Sequence, residues 1–570
     1  MKKFHGSNIW NAPTFGPKPL ADIILTAHDI IALSPKFWRI HKDYMAIRDS
    51  AAHTILMIHV NLFAGTVAQY AMDRPYLHPL MDDILNFNVM CARLHPIFLL
   101  SANSPSGSFM LTEVGHGCDA RNLETTATLQ SDGSFDLHTP HPGASKPIAT
   151  IPRVGVVLAR LIVDNDDLGI RAFLVPLTGK GHMKPGVKSQ LLQPASGGRM
   201  LDYSITSFNH VRLPDSAMLG DFAKPDNMRT NFLSTIQRIG TGTLALSIWV
   251  STFLKGAVYI AGKFSLYRTV QQGLHGERTA IINFRTQHRP ILHALTHIAV
   301  LEPLADWIEN NFVDETLHPS ARHGLGVVLK GISIQLGQRS LANMSERCSA
   351  RGVFIHNQIM EMEALTRLTS IAEGEMLVLT IRLATELLIG RYSLPEPRYP
   401  DCLLARHEAG LIYEAREMIQ YISHSLVAAS NAQDQGLDQS GNDSNHAHRS
   451  ESYNNSILPL CRPLILAIAH RMAYEAALDA SIDPNLLALF EAEMIQTDPG
   501  WYIERLGLSR SVQADMEDHA MDALFPRIEE LLDRHGAVEP YLTAPMMSSS
   551  RWDEFQRSLP TFDGREAARL

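Results

Sequence analysis

Apolar residues recur at helical spacing from residue 20 to roughly 105, as in LADIILTAHDIIAL (20–33) and AAHTILMIHVNLFAGTVAQYAM (51–72). The texture then changes. ATLQSDGSFDLHT (127–139) reads as a strand, a Ser-Asp-Gly turn and a second strand. RVGVVLARLIVDNDDLGIRAFLVPL (153–177) repeats that plan with NDDLG as its turn, and LDYSITSFNHVRLP (201–214) adds another β-rich run. From about 228 the helical pattern returns and holds to about 428. The stretch 431–456, NAQDQGLDQSGNDSNHAHRSESYNNS, has almost nothing to bury and predicts a mobile polar loop. More helix follows to about 535, then an irregular tail. The pattern therefore predicts a mainly α chain with a central β domain. Its parts are an N-terminal helical domain (1–105), the β domain (106–222), a helical bundle (223–400) and an additional C-terminal helical domain (401–570).

The longest apolar run, TGTLALSIWVSTFLKGAVYIAG (241–262), is interrupted by Lys255 and rich in Thr, Ser and Gly. It reads as a buried helix packed closely on neighbours, so the chain is expected to be soluble with no membrane span. A length of 570 residues with 45% hydrophobic and 19% charged residues gives ample material for several cores. The net charge of −9 argues against nucleic acid as a partner, because phosphate backbones call for a basic field. The five cysteines (Cys91, Cys118, Cys348, Cys402, Cys461) are isolated and odd in number, which indicates neither a disulfide framework nor a zinc knuckle. The first residues, MKKFHGSNIWNAPTFG, lack the apolar core of a secretory signal.

Chemistry enters at MLTEVGHGCDARNLETTAT (110–128), a glycine-punctuated turn ahead of a Thr-rich strand. It contains neither the P-loop pattern nor the GxGxxG of a strand-to-helix turn. It resembles the flavin-binding segment of the acyl-CoA oxidase and acyl-CoA dehydrogenase superfamily. TEVGHG and NLETTAT are on the oxidase pattern, and Asp119 is on the dehydrogenase pattern. A second resemblance lies at SERCSARGVFIHNQIMEMEALTRLTSIAEGEMLVL (345–379). Cys348 to Gly352 align with the family's CGGHGY or CGAQGLF stretch, and AEGE (372–375) aligns with its Glu-Gly pair. AGKFSLYRTV (261–270) and FRTQHRPIL (284–292) resemble the family's YxxxRxxFG and FQxxQ elements, and SFNHVRLPDSAMLG (207–220) resembles the segment that closes its β domain.

The resemblance implies the family fold, with a barrel-like middle domain between helical domains, and FAD as cofactor. It implies that Thr112 sits against the flavin ring and that the loop through Gly117 and Cys118 lies between flavin and acyl-CoA. Glycines there allow close approach of the backbone. Arg268 and Gln287 would bind the pyrophosphate or adenine part of FAD, across a subunit boundary in family members. Thr150, Arg351, Gly352 and Glu375 complete the implied cofactor contacts. Glu373 would be the catalytic base, removing the α-proton of the thioester while flavin N5 takes hydride from Cβ. The family polarises the thioester carbonyl with the backbone N–H of the base and a flavin ribityl hydroxyl. Burial would raise the Glu373 carboxyl toward a useful range. On spacing alone, Glu373 reads better as a helix-start carboxylate facing the helix dipole, and the two flanking matches turn the reading to the base.

The chain departs from the family where Met376 and Leu377 follow the Glu-Gly-Glu, and where SKPIATIP (145–152) keeps Lys146 but no stacked Trp. His293 and His297 have zinc-helix spacing without the Glu of HExxH, which favours two core histidines over a metal site. The final Ala568-Arg569-Leu570 is a variant of the peroxisomal Ser-Lys-Leu address. The resemblance thus implies an acyl-CoA oxidase passing electrons to O₂ and releasing H₂O₂, a homodimer with FAD near the subunit interface, in the peroxisome or otherwise the cytoplasm. Two alternatives stay open at this point: a dehydrogenase serving an electron-transfer flavoprotein, and a catalytically silent FAD- or CoA-binding protein.

Overall fold

The structure, a computed structural model, describes residues 25–86, 107–148, 154–179, 182–193, 195, 201, 203–272, 276–433 and 450–561. Short helices open it: α1 (Ala27–Ile31), α2 (Pro35–His41), α3 (Met45–Arg48), α4 (Ser50–Met57), α5 (Gly65–Ala71) and α6 (His78–Leu85). Between α4 and α5 the chain is a π-helix, Ile58–Ala64. π segments interrupt the i→i−4 ladder, and here the Asn61 carbonyl accepts from the Arg238 guanidinium.

Twelve strands follow among the described residues: β1 (Gly107–Met110), β2 (Thr126–Leu129), β3 (Phe135–His138), β4 (Lys146–Ile148), β5 (Val154–Val163), β6 (Asp166–Pro176), β7 (Thr178–Gly179), β8 (His182–Met183), β9 (Val187–Leu191), β10 (Ser204–Phe208), β11 (Val211–Leu213) and β12 (Met218–Leu219). A curled seven-stranded sheet has the order β11-β3-β2-β5-β6-β12, with β1 pairing parallel to β5; β4-β10-β9 form a second sheet. Alternating inward residues, among them Phe135, Leu137, Val157, Ala159 and Phe173, fill the core of the sheet.

The Ser-Asp-Gly hairpin forms as its residues predict, with Leu129 opposite Phe135. The second hairpin turns earlier than expected. Asp164 and Asn165 make the turn at φ 49° and 68°, and Asp166 already pairs with Val163. Two-residue hairpins need left-handed φ at both central positions, which Asp and Asn tolerate, so the turn settles on that pair and leaves DDLG inside β6.

The remaining helices are α7 (Met228–Thr235), α8 (Arg238–Tyr267), α9 (Arg285–Phe312), α10 (Pro319–Arg347), α11 (Ile359–Ile371), α12 (Met376–Leu388), α13 (Leu403–Gln433), α14 (Glu451–Ser456), α15 (Leu458–Asp479), α16 (Pro484–Ile495), α17 (Pro499–Leu506), α18 (Arg510–Leu524), α19 (Ile528–Asp533) and α20 (Ser549–Ser558). Three local expectations change. A hairpin of β13 (Thr269–Gln271) and β14 (Arg278–Ala280) interrupts the helical region. Residues 451–456, expected in a polar loop, form α14, whose N-terminus is capped by the Ser450 hydroxyl. The irregular tail contains α20, capped in the same way by Ser548.

Three helical stretches, Ser50–Ala71, Arg238–Tyr267 and Arg285–Phe312, are long and apolar enough to cross a membrane, and their apolar windows are 78%, 94% and 72% buried in protein. The described chain divides into two compact units. The first comprises Met1–Trp249, Asn311–Lys330 and Leu368–Leu379; the second comprises Val250–Asn310, Gly331–Arg367 and Thr380–Leu570.

Candidate active site

In the first unit, the segment 111–126 is built around one carboxylate. Glu113 is 1% exposed and accepts four hydrogen bonds. The donors are the Glu124 N–H (2.8 Å), the Thr125 N–H (2.9 Å), the Thr125 hydroxyl (2.6 Å) and the Lys146 ammonium (3.1 Å). Lys146 is itself fully buried and also donates to the Leu111 carbonyl. Burial works to raise the Glu113 carboxyl, but Lys146 and the Thr125 and Glu124 donors outweigh it and hold the group below its ordinary range. Burial pushes the Lys146 ammonium down to about 8 against the opposing pull of Glu113.

This buried pair anchors an outward-facing loop. Val114 N–H donates to Ser145 and Gly115 N–H to Gly143, while His116 and His141 both meet the Glu124 carboxylate. Thr112 is half-buried, and Gly117 and Cys118 are exposed. The space where a Gly117 side chain would stand is empty to 4 Å. Lys146, which the sequence aligns with a segment expected beside the flavin, is committed to Glu113.

Glu373 lies in the same unit, in the break between α11 and α12. It takes the left-handed conformation at φ 53°, and Gly374 follows at φ 103°. A non-glycine residue in that region carries local strain and persists only where its surroundings impose it. Here three consecutive carbonyls are tied down. The Lys330 ammonium, from α10, donates to the carbonyls of Ala372 and Gly374, each at 2.6 Å. The Thr243 hydroxyl, from α8, donates to the Glu373 carbonyl at 2.8 Å.

The Glu373 side chain packs over Gly242, where a methyl group would stand 1.2 Å from Oε2. Only glycine leaves room for the carboxyl in this place. Oε2 is buried and has no hydrogen-bond partner among the described residues. Desolvation dominates over the opposing fields of Lys330 and Arg238, and the carboxyl is pushed up to about 8. Burial likewise lowers Lys330 to about 8, against Glu373 and Glu375, and lowers Arg238 to about 10, against Glu373.

Glu375, expected among the cofactor contacts, caps α12: its two oxygens accept from the Leu377 and Val378 N–H groups at 3.0 Å each. The helix-start role considered for Glu373 is thus filled two residues later.

The other expected positions fall in the second unit. Arg268 follows α8 with an exposed side chain. The Gln287 amide donates to the Ser265 hydroxyl (2.8 Å) and the Arg347 carbonyl (3.0 Å). The Arg351 guanidinium stacks 3.8 Å above the Trp552 ring and donates to the Tyr267 hydroxyl at 3.1 Å. Gly352 packs against the Ser345 carbonyl, 1.9 Å from where its Cβ would be. Thr150 and the segment Ala568-Arg569-Leu570 lie outside the described residues. The structure therefore brings Thr112, Gly117, Cys118, Glu373 and Glu375 into one unit, and Arg268, Gln287, Arg351 and Gly352 into the other.

His293 and His297 are buried, and their ligand atoms and that of Glu493 lie within 4.8 Å of one another. All four imidazole nitrogens have partners. His293 meets Glu493 (2.8 Å) and Glu517 (2.7 Å); His297 meets Glu493 (2.6 Å) and Ser340 (2.8 Å). Burial works to lower His293, but Glu493 and Glu517 raise it to about 9, and Arg339 also pairs with Glu493 at 2.9 Å. The cluster is a hydrogen-bonded ion network.

Sequence reasoning missed Gly242, Thr243 and Lys330. The signal available for Lys330 was a lone cation inside the apolar run LGVVLKGISI (325–334). A fully buried lysine must find partners there.

No protein-family model matches the chain. It is 27% identical over 314 residues to acyl-coenzyme A oxidase 1 of Yarrowia lipolytica (51% of this chain, 43% of that protein). It is 26% identical over 311 residues to peroxisomal acyl-coenzyme A oxidase 1 of Arabidopsis thaliana (50% and 46%). The matched stretch thus spans less than half the length of each relative. The crystal structure of acyl-CoA oxidase 1 from Yarrowia lipolytica superposes with a TM-score of 0.75 at 18% identity, covering 96% of this chain and 88% of that one. The structure of acyl-CoA oxidase-2 of Caenorhabditis elegans, bound with FAD, ascaroside-CoA and ATP, gives 0.71 at 16% identity, covering 96% and 88%. The chain thus has the acyl-CoA oxidase fold, and half of it is similar in sequence to curated acyl-CoA oxidases.

Proposed function

We propose that the protein catalyses FAD-dependent α,β-dehydrogenation of an acyl-CoA thioester to the trans-2-enoyl-CoA, with O₂ as electron acceptor and H₂O₂ as product. The observation that carries this reading is the Glu373 carboxyl, buried, unpaired at Oε2 and raised to about 8. A carboxyl in that state binds a proton strongly enough to serve as a general base near neutral pH.

The residues present fit a flavin. The exposed 114–118 loop leaves its glycine face open, and the unpartnered Oε2 gives the site one buried acceptor. Thr112, Gly117 and Cys118 would hold the isoalloxazine side, with Thr150 assigned to the same group by resemblance. Arg268 and Gln287 would hold the pyrophosphate or adenine part of the FAD of a second subunit, in a homodimer, with Arg351 and Gly352, already packed on Trp552 and the Ser345 carbonyl, shaping that side of the site. When bound, FAD supplies the acceptor for the hydride leaving Cβ and passes the electron pair to O₂.

The chain's own contribution is the proton step. Glu373 takes the α-proton onto its carboxylate as the Cα–Cβ double bond forms, and its backbone N–H polarises the thioester carbonyl. Relatives named peroxisomal support a peroxisomal location.

The test is a visible spectrum of the purified protein followed by a panel of acyl-CoAs with and without oxygen. The reading expects flavin bands, bleaching without oxygen, and rapid recovery with peroxide in air. Bleaching that persists in air would replace O₂ with a protein electron acceptor. A colourless protein that takes up no FAD would overturn the reading.

A further inference from the structure

We propose that Lys330 is the positioning residue of the catalytic base: from α10 its ammonium grips the carbonyls on either side of Glu373, and with Thr243 it holds the carboxyl over Gly242 beside one fixed positive charge. This inference rests on the reading of Glu373 as the base.

The geometry is unusual in how it distributes donors. An ammonium has three N–H donors, and two of them are spent on main-chain oxygens at 2.6 Å instead of on the neighbouring carboxyl. The Thr243 hydroxyl is spent the same way, on the carbonyl of Glu373 itself. The carbonyls of the turn are therefore occupied while the side chain is left without a donor at Oε2. A direct Lys–Glu hydrogen bond would lower the carboxyl strongly and spoil it as a base. Holding the charge one peptide group away fixes the strained turn and still supplies a moderating field.

Three charged groups act on this turn. Lys330 reaches it from α10 and Arg238 from the start of α8, where Asn61 and the Ile30 carbonyl hold its guanidinium. Glu375 acts from the N-cap of α12. His323, also on α10, packs against Gly240, one turn before Thr243. Of these, Lys330 alone grips the turn's own carbonyls, so its removal is expected to change both geometry and charge.

The test is Lys330→Met, compared with Thr243→Val and with Lys330→Ala supplied with ethylammonium. Rates of flavin reduction by acyl-CoA are read across pH. The Glu373 carboxyl of the apoprotein is titrated separately by difference infrared spectroscopy, with Glu373→Gln as the blank. Lys330→Met is expected to lower the rate about 100-fold through misplacement. Its acidic limb should move upward by about one pH unit or more, and the infrared titration should move with it. Thr243→Val should lower the rate about tenfold, with the limb unmoved, because no charge is lost. Ethylammonium should restore part of the Lys330→Ala rate.

A folded Lys330→Met protein with the wild-type limb and infrared titration would overturn the inference, as would equal limb shifts in both variants. If Lys330→Met does not fold, Lys330→Ala with and without the amine decides: no rescue and no limb shift contradict the role. A wild-type protein that oxidises no acyl-CoA would defeat the functional reading instead, and the apoprotein titration would still report whether Lys330 acts on Glu373.

Discussion

Glu113 and Glu373 are two buried carboxyl groups in the same compact unit, each close to a buried lysine, and the fold treats them in opposite ways. At Glu113 the donors of Lys146, Thr125 and Glu124 converge on the carboxylate. At Glu373 the donors of Lys330 and Thr243 converge on the backbone and leave Oε2 bare. The first carboxyl is held below its ordinary range and the second is pushed up to about 8. Burial raises both, and the balance against it separates them: it wins at Glu373 and is outweighed at Glu113. Direct contact decides: at Glu113 the Lys146 charge and the Thr125 and Glu124 donors meet the carboxylate itself, whereas at Glu373 the donors stop at the backbone.

The comparison breaks most sharply if Glu373 is altered. Glu373→Gln keeps the shape and removes the proposed base, so flavin reduction by acyl-CoA is expected to fall about 1,000-fold or more with flavin content unchanged. Rapid-mixing absorbance under nitrogen measures it. Glu113→Ala instead leaves Lys146 as an uncompensated buried cation, and should cost about 3–5 kcal/mol of stability in chemical denaturation.

The two carboxyls also predict opposite pH dependences of stability. Glu113, with a lowered folded value, contributes stability above its unfolded range that is lost as pH falls through the lowered value. Glu373 binds its proton more tightly folded than unfolded. Its contribution therefore falls as pH rises from about 4.5 to about 8 and stays lost above that. Glu373→Gln should accordingly be more stable than the parent at pH 9, whereas Glu113→Gln should be less stable there.

Smaller effects sharpen the picture. Gly242→Ala places a methyl group where Oε2 stands and should cost about 100-fold in flavin reduction through displacement of the base, with the second unit untouched. Glu375→Ala should cost only about 1 kcal/mol, the worth of a helix cap, and leave FAD affinity near that of the parent. A large loss of flavin in that variant would return Glu375 to the cofactor site.

Much of this was legible in the chain. The hairpin signals located the β domain, the apolar run 241–262 became a buried helix, and Glu373 was singled out because its Glu-Gly pair stands at the right distance from Cys348–Gly352. What escaped was set by long-range packing. Thr243 meets Glu373 across 130 residues, and Lys330 meets Ala372 across 42. No local period encodes such contacts. The turn falls on Asp164-Asn165 and not within NDDLG because both stretches are rich in Asp and Asn, and only strand pairing chooses between them. Glu375 and Glu373 were likewise indistinguishable until the backbone showed which one begins the helix.

The most direct measurement is the pH dependence of anaerobic flavin reduction in the unmodified protein at acyl-CoA well below saturation, where the rate reports the free protein's base, followed by rapid mixing. A starved, buried base predicts a rate that rises with pH and reaches half its plateau near pH 8, lost on the acid side as Glu373 takes up its proton. A half-point near 4.5, or a rate independent of pH between 5 and 9, would mean that Glu373 is an ordinary carboxylate and that the donors surrounding its turn do not set its chemistry.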